Sequence, residues 1–596
     1  MKSKSKIILA LALVLCLASS LFFTNLTASA ADATPHTIFV TFYGDAKTQR
    51  GFTWYTDIDN LASKVQLATN SSFTDAFIIN GNPSVPVQGG DRNNNKGNYY
   101  ITQYMHKAVV TGLLPGTKYF YKVGDGSTWS SMGSFTTQEA NSNSFSFIDV
   151  SDTQTSSNSI YTTCLKPMIS KAFETVPGAS FLLDSGDITN NGGDLVQWQV
   201  MADSVSSNIM NTTFVPVAGN HETHTAGGDD NPAGKFVLSN GFTITGSYQN
   251  SLINHFNINL PSGETNTKFG AYYSFDYANT HVMILNTNYL NSDGTLSQEQ
   301  IDWLKSECNS TTAKWKILSF HRSIYSVGLH FSDPEVSAMR TQLPPIIAQC
   351  GIDVVLSGHD HTYIRTKPIG TSGIINNTTT VTENFNGVNT TFTVNPQGAV
   401  YFNSGAGGDT FHASNYNPTA SSSSTNAVDI ASLKMLPAFA KYLPTVKGAK
   451  LNQINVQTTA DLNNSTKNTS YNAPTFAGIT ISGDKLVFNF YQYNITNSSL
   501  ALVDTYAIDK TPSNTFHLGD VNLDGYVTLK DCTSIQKYLS GVISLTSNGT
   551  ILADVNDDKI VSLKDATSIQ RWVAGLPSEY NINDLVTISG NSWVLY

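Results

Sequence analysis

The sequence runs to 596 residues with a formal net charge of −10, 13% charged residues and 11% aromatic ones. That length exceeds one core and sets a prior of about three or four domains, and the aromatic content argues for packed domains over disorder. An acidic chain with no basic run is a poor candidate for binding nucleic acid or anionic membranes.

Residues 1–30 read as a signal peptide. Lys2, Lys4 and Lys6 precede an apolar run from Ile7 to Phe23, and Ala28-Ser29-Ala30 supplies a small-residue cleavage site. Cleavage removes three lysines and no acid, so the exported chain is more acidic still. No later stretch is long and apolar enough to span a bilayer. Four cysteines remain, Cys164, Cys308, Cys350 and Cys532, with no C-x-x-C spacing. They allow one disulfide after export without choosing its ends.

Residues 35–138 read as short strands. Thr37–Tyr43, Gly51–Thr56, Lys107–Leu113 and Lys118–Val123 alternate apolar and polar side chains between Gly/Pro/Asn-rich turns. Several strands in so short a segment predict a β-sandwich. No cluster of chemistry-bearing residues falls in it, which makes it a scaffold.

The pattern changes over residues 143–510. Apolar runs at Phe145–Val150, Phe181–Asp184, Phe214–Val217, His281–Leu285, Lys316–Phe320 and Asp353–Leu356 each end in Asp, Asn, His or Gly. Helical stretches at Ser297–Cys308 and Glu335–Gln349 alternate with them, which predicts a layered α/β domain with its site at the strand ends. Residues 411–470 form a Ser/Thr/Asn-rich surface insertion. Strands at Phe476–Ile479, Lys485–Tyr493 and Leu502–Ile508 then close the sheet, and residues 511–516 form a linker.

The final segment, 517–580, repeats itself. Gly519-Asp520-Val521-Asn522-Leu523-Asp524 recurs as Ala553-Asp554-Val555-Asn556-Asp557-Asp558, and each copy runs on into Leu-Lys-Asp-x-Thr-Ser-Ile-Gln. Asp520, Asn522, Asp524, Thr528 and Asp531 stand at positions one, three, five, nine and twelve of an EF-type loop, and Asp554, Asn556, Asp558, Ser562 and Asp565 match them. The backbone carbonyls of Tyr526 and Ile560 take position seven, so each copy can wrap oxygens around one Ca²⁺. Gly525 occupies the sharp turn of the first loop and Lys559 that of the second, which predicts weaker binding there. A helix follows each loop, and none is evident before Asp520. Tandem half EF-hands of this kind resemble a type I dockerin. That resemblance implies two Ca²⁺ ions, a cohesin module of a scaffoldin as partner, and an extracellular place in a complex such as a cellulosome. It also implies partner-choosing contacts at Leu529, Lys530, Leu563 and Lys564.

Five clusters fall in order along the central domain: Asp152-Thr153-Gln154, Gly186-Asp187, Gly219-Asn220-His221-Glu222, His321 and Gly358-His359-Asp360-His361. Each alone has a structural explanation, but the set in this order resembles the calcineurin-like metallophosphoesterases. With the N-terminal sandwich it is most similar to their purple acid phosphatase branch, whose first domain is fibronectin-like. The fold class implied is multidomain: a β-sandwich, a central α/β sandwich of two mixed sheets flanked by helices, and a small α dockerin with two calcium loops.

The resemblance assigns Asp152 and His361 to one metal ion, Asn220, His321 and His359 to a second, and Asp187 as the bridge. Oxygen and imidazole donors suit iron, manganese or zinc. Two such cations about 4 Å apart clamp a phosphate ester and acidify a shared water, whose hydroxide attacks phosphorus. The family role of His221 is to stabilise the transition state or protonate the leaving group. His330 matches a substrate-side histidine of the plant-type enzymes. Two departures stand out. Gln154 occupies the His position of many first motifs, and Asn190 the place of the tyrosinate whose charge transfer to iron gives the purple colour. Both still offer an amide oxygen, but the protein should not be purple. The implied function is a secreted phosphate monoesterase tethered through its dockerin. Alternatives are a phosphodiesterase or nucleotidase on the same centre, or a decayed interaction protein.

Overall fold

A computed structural model describes residues 33–59, 61–91, 99–223, 235–237, 243–245, 251–261, 271–326, 329–375, 378–409, 474–511, 515–590 and 592–595. The expected signal peptide, 1–30, and the expected insertion, 411–470, lie outside the described residues. The chain divides into two compact units, Met1–Asp509 and Lys510–Tyr596.

Two sheets face each other in the first unit. The larger has twelve strands. At its centre Ser144–Val150, Phe181–Asp184 and Thr213–Pro216 run parallel. Thr475–Ser482, Lys485–Asn494 and Ser499–Asp509 extend one side, in antiparallel pairing with the strand Ser144–Val150 and with one another. The second sheet has six strands, of which Thr280–Ile284, Trp315–Arg322, Val354–Gly358 and Val400–Ser404 run parallel. Aromatic pairs join the layers: Phe402 stacks on Phe488 at 3.9 Å between ring centroids, and Tyr363 on Phe490 at 3.8 Å. The helices Gln298–Ser310 and Pro334–Gln349 bury Leu304, Met339, Leu343 and Ile347 in a cluster with Leu318 and Val355 of the second sheet. This is the expected α/β sandwich, and parallel strands buried on both faces account for its Val/Ile/Leu/Phe runs.

The N-terminal residues form a sandwich too. Ile38, Val40, Phe52 and Trp54 pack against Val65, Leu67, Tyr119 and Tyr121 of a four-stranded sheet. Its other sheet is not separate, however. The strand His36–Thr41 pairs in parallel with Thr213–Pro216, so one sheet runs from the scaffold into the central domain. Arg50 seals that junction. Fully buried, it donates hydrogen bonds to Thr213 Oγ1 and to the carbonyls of Ala46, Gln49 and Thr136. Burial lowers its pKa to about 10, which still leaves the guanidinium charged at neutral pH.

In the second unit the helices Leu529–Leu539 and Leu563–Val573 each begin with a capping box, Thr528 with Asp531 and Ser562 with Asp565. They close over Leu518, Val521, Ile535, Leu552, Ile569 and Val586. A helix, Ser547–Ala553, leads into the second loop, whereas a strand, Thr515–His517, precedes the first. That strand pairs with Leu585–Ser589, which pairs with Ser592–Leu595. The unit thus reaches past the expected boundary at 580. Among the described residues no helix is long and apolar enough to cross a membrane.

Candidate metal centre

The five clusters sit where parallel strands of both sheets end. Asp152 follows Ser144–Val150, Asp187 follows Phe181–Asp184, and Asn220 follows Thr213–Pro216. His321 closes Trp315–Arg322, and His359 and His361 follow Val354–Gly358. Asp152, Asp187, His359 and His361 all have φ between 49° and 74°, a left-handed conformation that costs a non-glycine residue energy. Each sharp turn redirects a side chain from the strand axis into the cleft between the sheets.

The potential ligand atoms of Asp187, His321 and His359 lie within 4.8 Å of one another, and so do those of Asp152, Asp187 and His361. Asp187 belongs to both groups. Its Oδ2 stands 3.1 Å from His321 Nε2 and 3.7 Å from His221 Nε2. Asp152 Oδ1 is 3.2 Å from His361 Nε2, and Asn220 Oδ1 is 3.1 Å from His321 Nε2. The buried ligand-type atoms His359 Nε2 and Gln154 Oε1 have no hydrogen-bond partner. Orphaned buried polar atoms are rare and ask for a partner; here a cation fits, because every converging donor is oxygen or imidazole nitrogen.

Backbone groups fix the side chains. His321 Nδ1 lies 3.0 Å from the Ser185 carbonyl, which can only accept, so Nδ1 carries the hydrogen and Nε2 is aimed at Asp187. His221 Nδ1 is held likewise by the Asn190 carbonyl at 2.8 Å. Asp152 accepts the His359 backbone N–H at 3.0 Å through both oxygens. The glycines of the motifs have a steric cause: a Cβ on Gly219 would meet Asp187 Oδ1 at 2.1 Å, and one on Gly358 would meet Ser151 Oγ at 1.8 Å.

The charges oppose one another. Burial resists ionisation of Asp187, but His321 and His221 outweigh it and hold the carboxyl well below its ordinary range. Burial likewise resists protonation of His321, yet Asp187 lifts the ring to about 9. His359 is driven well below its ordinary value by burial and by the positive field of His321 and Arg322, leaving a neutral imidazole of the kind that ligates metal.

Glu222 closes the motif Gly-Asn-His-Glu, and its function escapes a linear reading. Its buried carboxylate accepts the backbone N–H groups of Asp187, Ile188, Thr189 and Gly219. Burial, then the nearby Asp187, raise its pKa to about 7. Four converging backbone bonds leave no unambiguous mark in sequence. His330 stands beside the cluster, its ring 4.1 Å from that of His359 between centroids. Its backbone N–H donates to Asp360 at 2.8 Å, and its Nδ1 lies 2.8 Å from Asp333 Oδ2. Of the two unusual residues, Gln154 is buried with Nε2 3.4 Å from His361 Nε2, and Asn190 takes part through its carbonyl.

In the second unit the two loops share a hydrogen-bond pattern. Asp520 accepts the backbone N–H groups of Asp524 and Gly525, and Asp554 those of Asp558 and Lys559. Asp531 and Asp565 reach back to Val521 and Val555 at 2.9 and 3.1 Å. Asn522 and Asn556 accept from Asp524 and Asp558. The oxygens of Asp520, Asn522, Asp524, Thr528 and Asp531, with their counterparts in the second loop, are a hard donor set that fits calcium. Gly525 and Lys559 adopt φ of 85° and 70°, so the lysine takes the conformation the glycine takes freely. Leu529, Lys530, Leu563 and Lys564 are all exposed.

Family models match three stretches: the Purple acid Phosphatase N-terminal domain over residues 35–137, the Calcineurin-like phosphoesterase over 150–363, and the Dockerin type I domain over 518–573. Purple acid phosphatase of Glycine max is 25% identical over 275 residues, 45% of this chain and 54% of its own length. Purple acid phosphatase 21 of Arabidopsis thaliana is 32% identical over 114 residues, 18% of this chain and 25% of its own. The chain thus spans about a quarter to a half of these two relatives. Among solved structures, purple acid phosphatase PPD1 from yellow lupin seeds superposes with a TM-score of 0.56 at 16% identity, over 81% of this chain and 76% of that one. That likeness is one of fold. In order along its length, the chain carries a purple acid phosphatase N-terminal domain, a calcineurin-like phosphoesterase domain and a type I dockerin domain.

Proposed function

We propose that this chain is an exported binuclear metallophosphoesterase that hydrolyses phosphate monoesters while its dockerin holds it to a cohesin module of an extracellular scaffold. The observation that carries the enzymatic reading is Asp187, a carboxylate shared by the group with His321 and His359 and the group with Asp152 and His361. Asp152 and His361, joined by the Gln154 amide oxygen, would hold one ion of iron, manganese or zinc. Asn220, His321 and His359 would hold the other, and Asp187 would bridge them. The ions, when bound, supply positive charge that draws in the phosphoryl oxygens and acidifies water.

The protein's own groups do the rest. His221, its Nδ1–H anchored on the Asn190 carbonyl, presents Nε2 to the cleft, where a proton can pass to the leaving oxygen. His330, oriented by Asp333 and with its ring tilted against that of His359, lines the substrate side. In the dockerin, one Ca²⁺ per loop would order the helices that present Leu529, Lys530, Leu563 and Lys564 to cohesin.

Hydrolysis of p-nitrophenyl phosphate and bis-p-nitrophenyl phosphate, with bound metal counted by mass spectrometry, tests the reading. We expect two transition ions per chain, preference for the monoester, and loss of both metal and turnover in Asp187→Ala. Preference for the diester would move the assignment to a phosphodiesterase. Fewer than two ions with no turnover would make the domain a decayed module carried by a dockerin.

A further inference from the structure

Cys308 lies in the last turn of the helix Gln298–Ser310, and Cys350 caps the helix Pro334–Gln349. Both are buried, at 5% and 8% exposure, in the same apolar cluster behind the second sheet. One ammonium gathers the two helix ends: Lys316 Nζ donates to the Cys308 carbonyl at 3.0 Å and to the Cys350 carbonyl at 2.9 Å. The Cys308 thiol donates to Met283 Sδ at 3.7 Å and shares this cluster with the Cys350 thiol, its electrostatic neighbour. The other cysteines sit elsewhere, Cys164 near the inter-sheet core beside Leu165 and Cys532 in the core of the second unit.

We infer that Cys308 and Cys350, buried free thiols here, form a disulfide in the exported protein, a modification site set by the Lys316 clamp on the two helix ends. The chemistry is thiol–disulfide exchange with a small-molecule or protein disulfide as oxidant. One cysteine thiolate attacks the oxidant, forming a mixed disulfide and releasing one thiol. The second cysteine loses its proton, attacks the first sulfur and releases the second thiol. Two protein thiols are oxidised and one disulfide is reduced to two thiols. The exchange belongs to the folding chain, before the pair is buried, and the native contact then selects this pairing. Oxidising compartments favour such bonds, so the inference rests on the export reading but not on the phosphoesterase one. The loop it closes contains the strand bearing His321 and the turn bearing His330, which ties the bond to the rigidity of the candidate site.

The exported chain, residues 31–596, unfolded and reduced, is refolded into a mixture of reduced and oxidised glutathione, then alkylated under denaturing conditions and mapped by mass spectrometry. The expected result is a Cys308–Cys350 cross-linked peptide, with Cys164 and Cys532 alkylated. A Cys164→Ser/Cys532→Ser variant should keep a reductant-sensitive melting temperature, several degrees higher when oxidised. Four alkylated cysteines after refolding, or a dominant cross-link between any other pair, would overturn the proposal.

Discussion

The carboxylate of Glu222 holds the backbone of Asp187: its Oε2 accepts the Asp187 N–H at 3.0 Å and the Gly219 N–H at 2.8 Å, while Oε1 takes Ile188 and Thr189. Two motif loops on separate strands are thereby pinned to one side chain. Glu222→Gln replaces one acceptor oxygen by an NH₂ facing N–H groups. It should cost about 2–3 kcal/mol of stability through unpaired buried donors. Denaturant unfolding reads the loss, and metal content should fall with it while Asp187 itself is untouched.

Arg50 makes a similar tie between the N-terminal scaffold and the central sheet. Arg50→Met keeps the bulk and the contact with the Phe42 ring but strands three carbonyls and the Thr213 hydroxyl. A loss of about 3 kcal/mol or more is expected, as for other broken buried charge networks. Protease cleavage within residues 35–138 should quicken in the variant, since the shared sheet no longer protects them.

A pH signature lies on the far side of the second sheet. Burial opposes the charged form of His281, but the hydrogen bond with Asp276 at 2.7 Å and the ion pair with Glu307 at 3.2 Å prevail and hold the ring at about 9. A folded pKa above the unfolded value of about 6.5 means the native state binds the extra proton between them. The stabilisation is therefore complete below about pH 6.5 and is lost as pH rises through 9. His281→Asn should lower stability at pH 6 and flatten its decline between pH 7 and 9; an unchanged slope in chemical denaturation would refute the assignment.

The C-terminal hairpin bears on the second calcium loop. Trp593 Nε1 donates to the carbonyl of Asp554, the loop's first position, at 2.8 Å, and Lys559 reaches Ser592 Oγ at 2.6 Å. Trp593→Phe keeps most of the packing and removes the bond, a change of about 1 kcal/mol. Calcium titration by calorimetry should show a weaker second site, several-fold at most, beside an unaltered first one.

Chemical identity along the chain was readable without a fold, because its signals are short. An Asp-x-Asn-x-Asp loop, a Gly-Asn-His-Glu or a Gly-His-Asp-His places several donor atoms within one turn, and local spacing already states what they can bind. The apolar runs ending in such clusters likewise announce parallel strands, since burial on both faces leaves no alternation. What the tertiary structure decided is non-local. Thr41 opposite Phe214 joins two apparent domains in one sheet, and strand pairing uses backbone groups that every residue shares. Glu222 works through backbone N–H groups of other loops, and Lys316 brings Cys308 to Cys350 through two carbonyls, so neither relation is encoded in residue type. The approach of Asp152 to His361 at 3.2 Å, across 208 intervening residues, likewise depends on two sheets packing face to face. Side-chain chemistry is written residue by residue, whereas distances between remote side chains are set by the packing of the whole core.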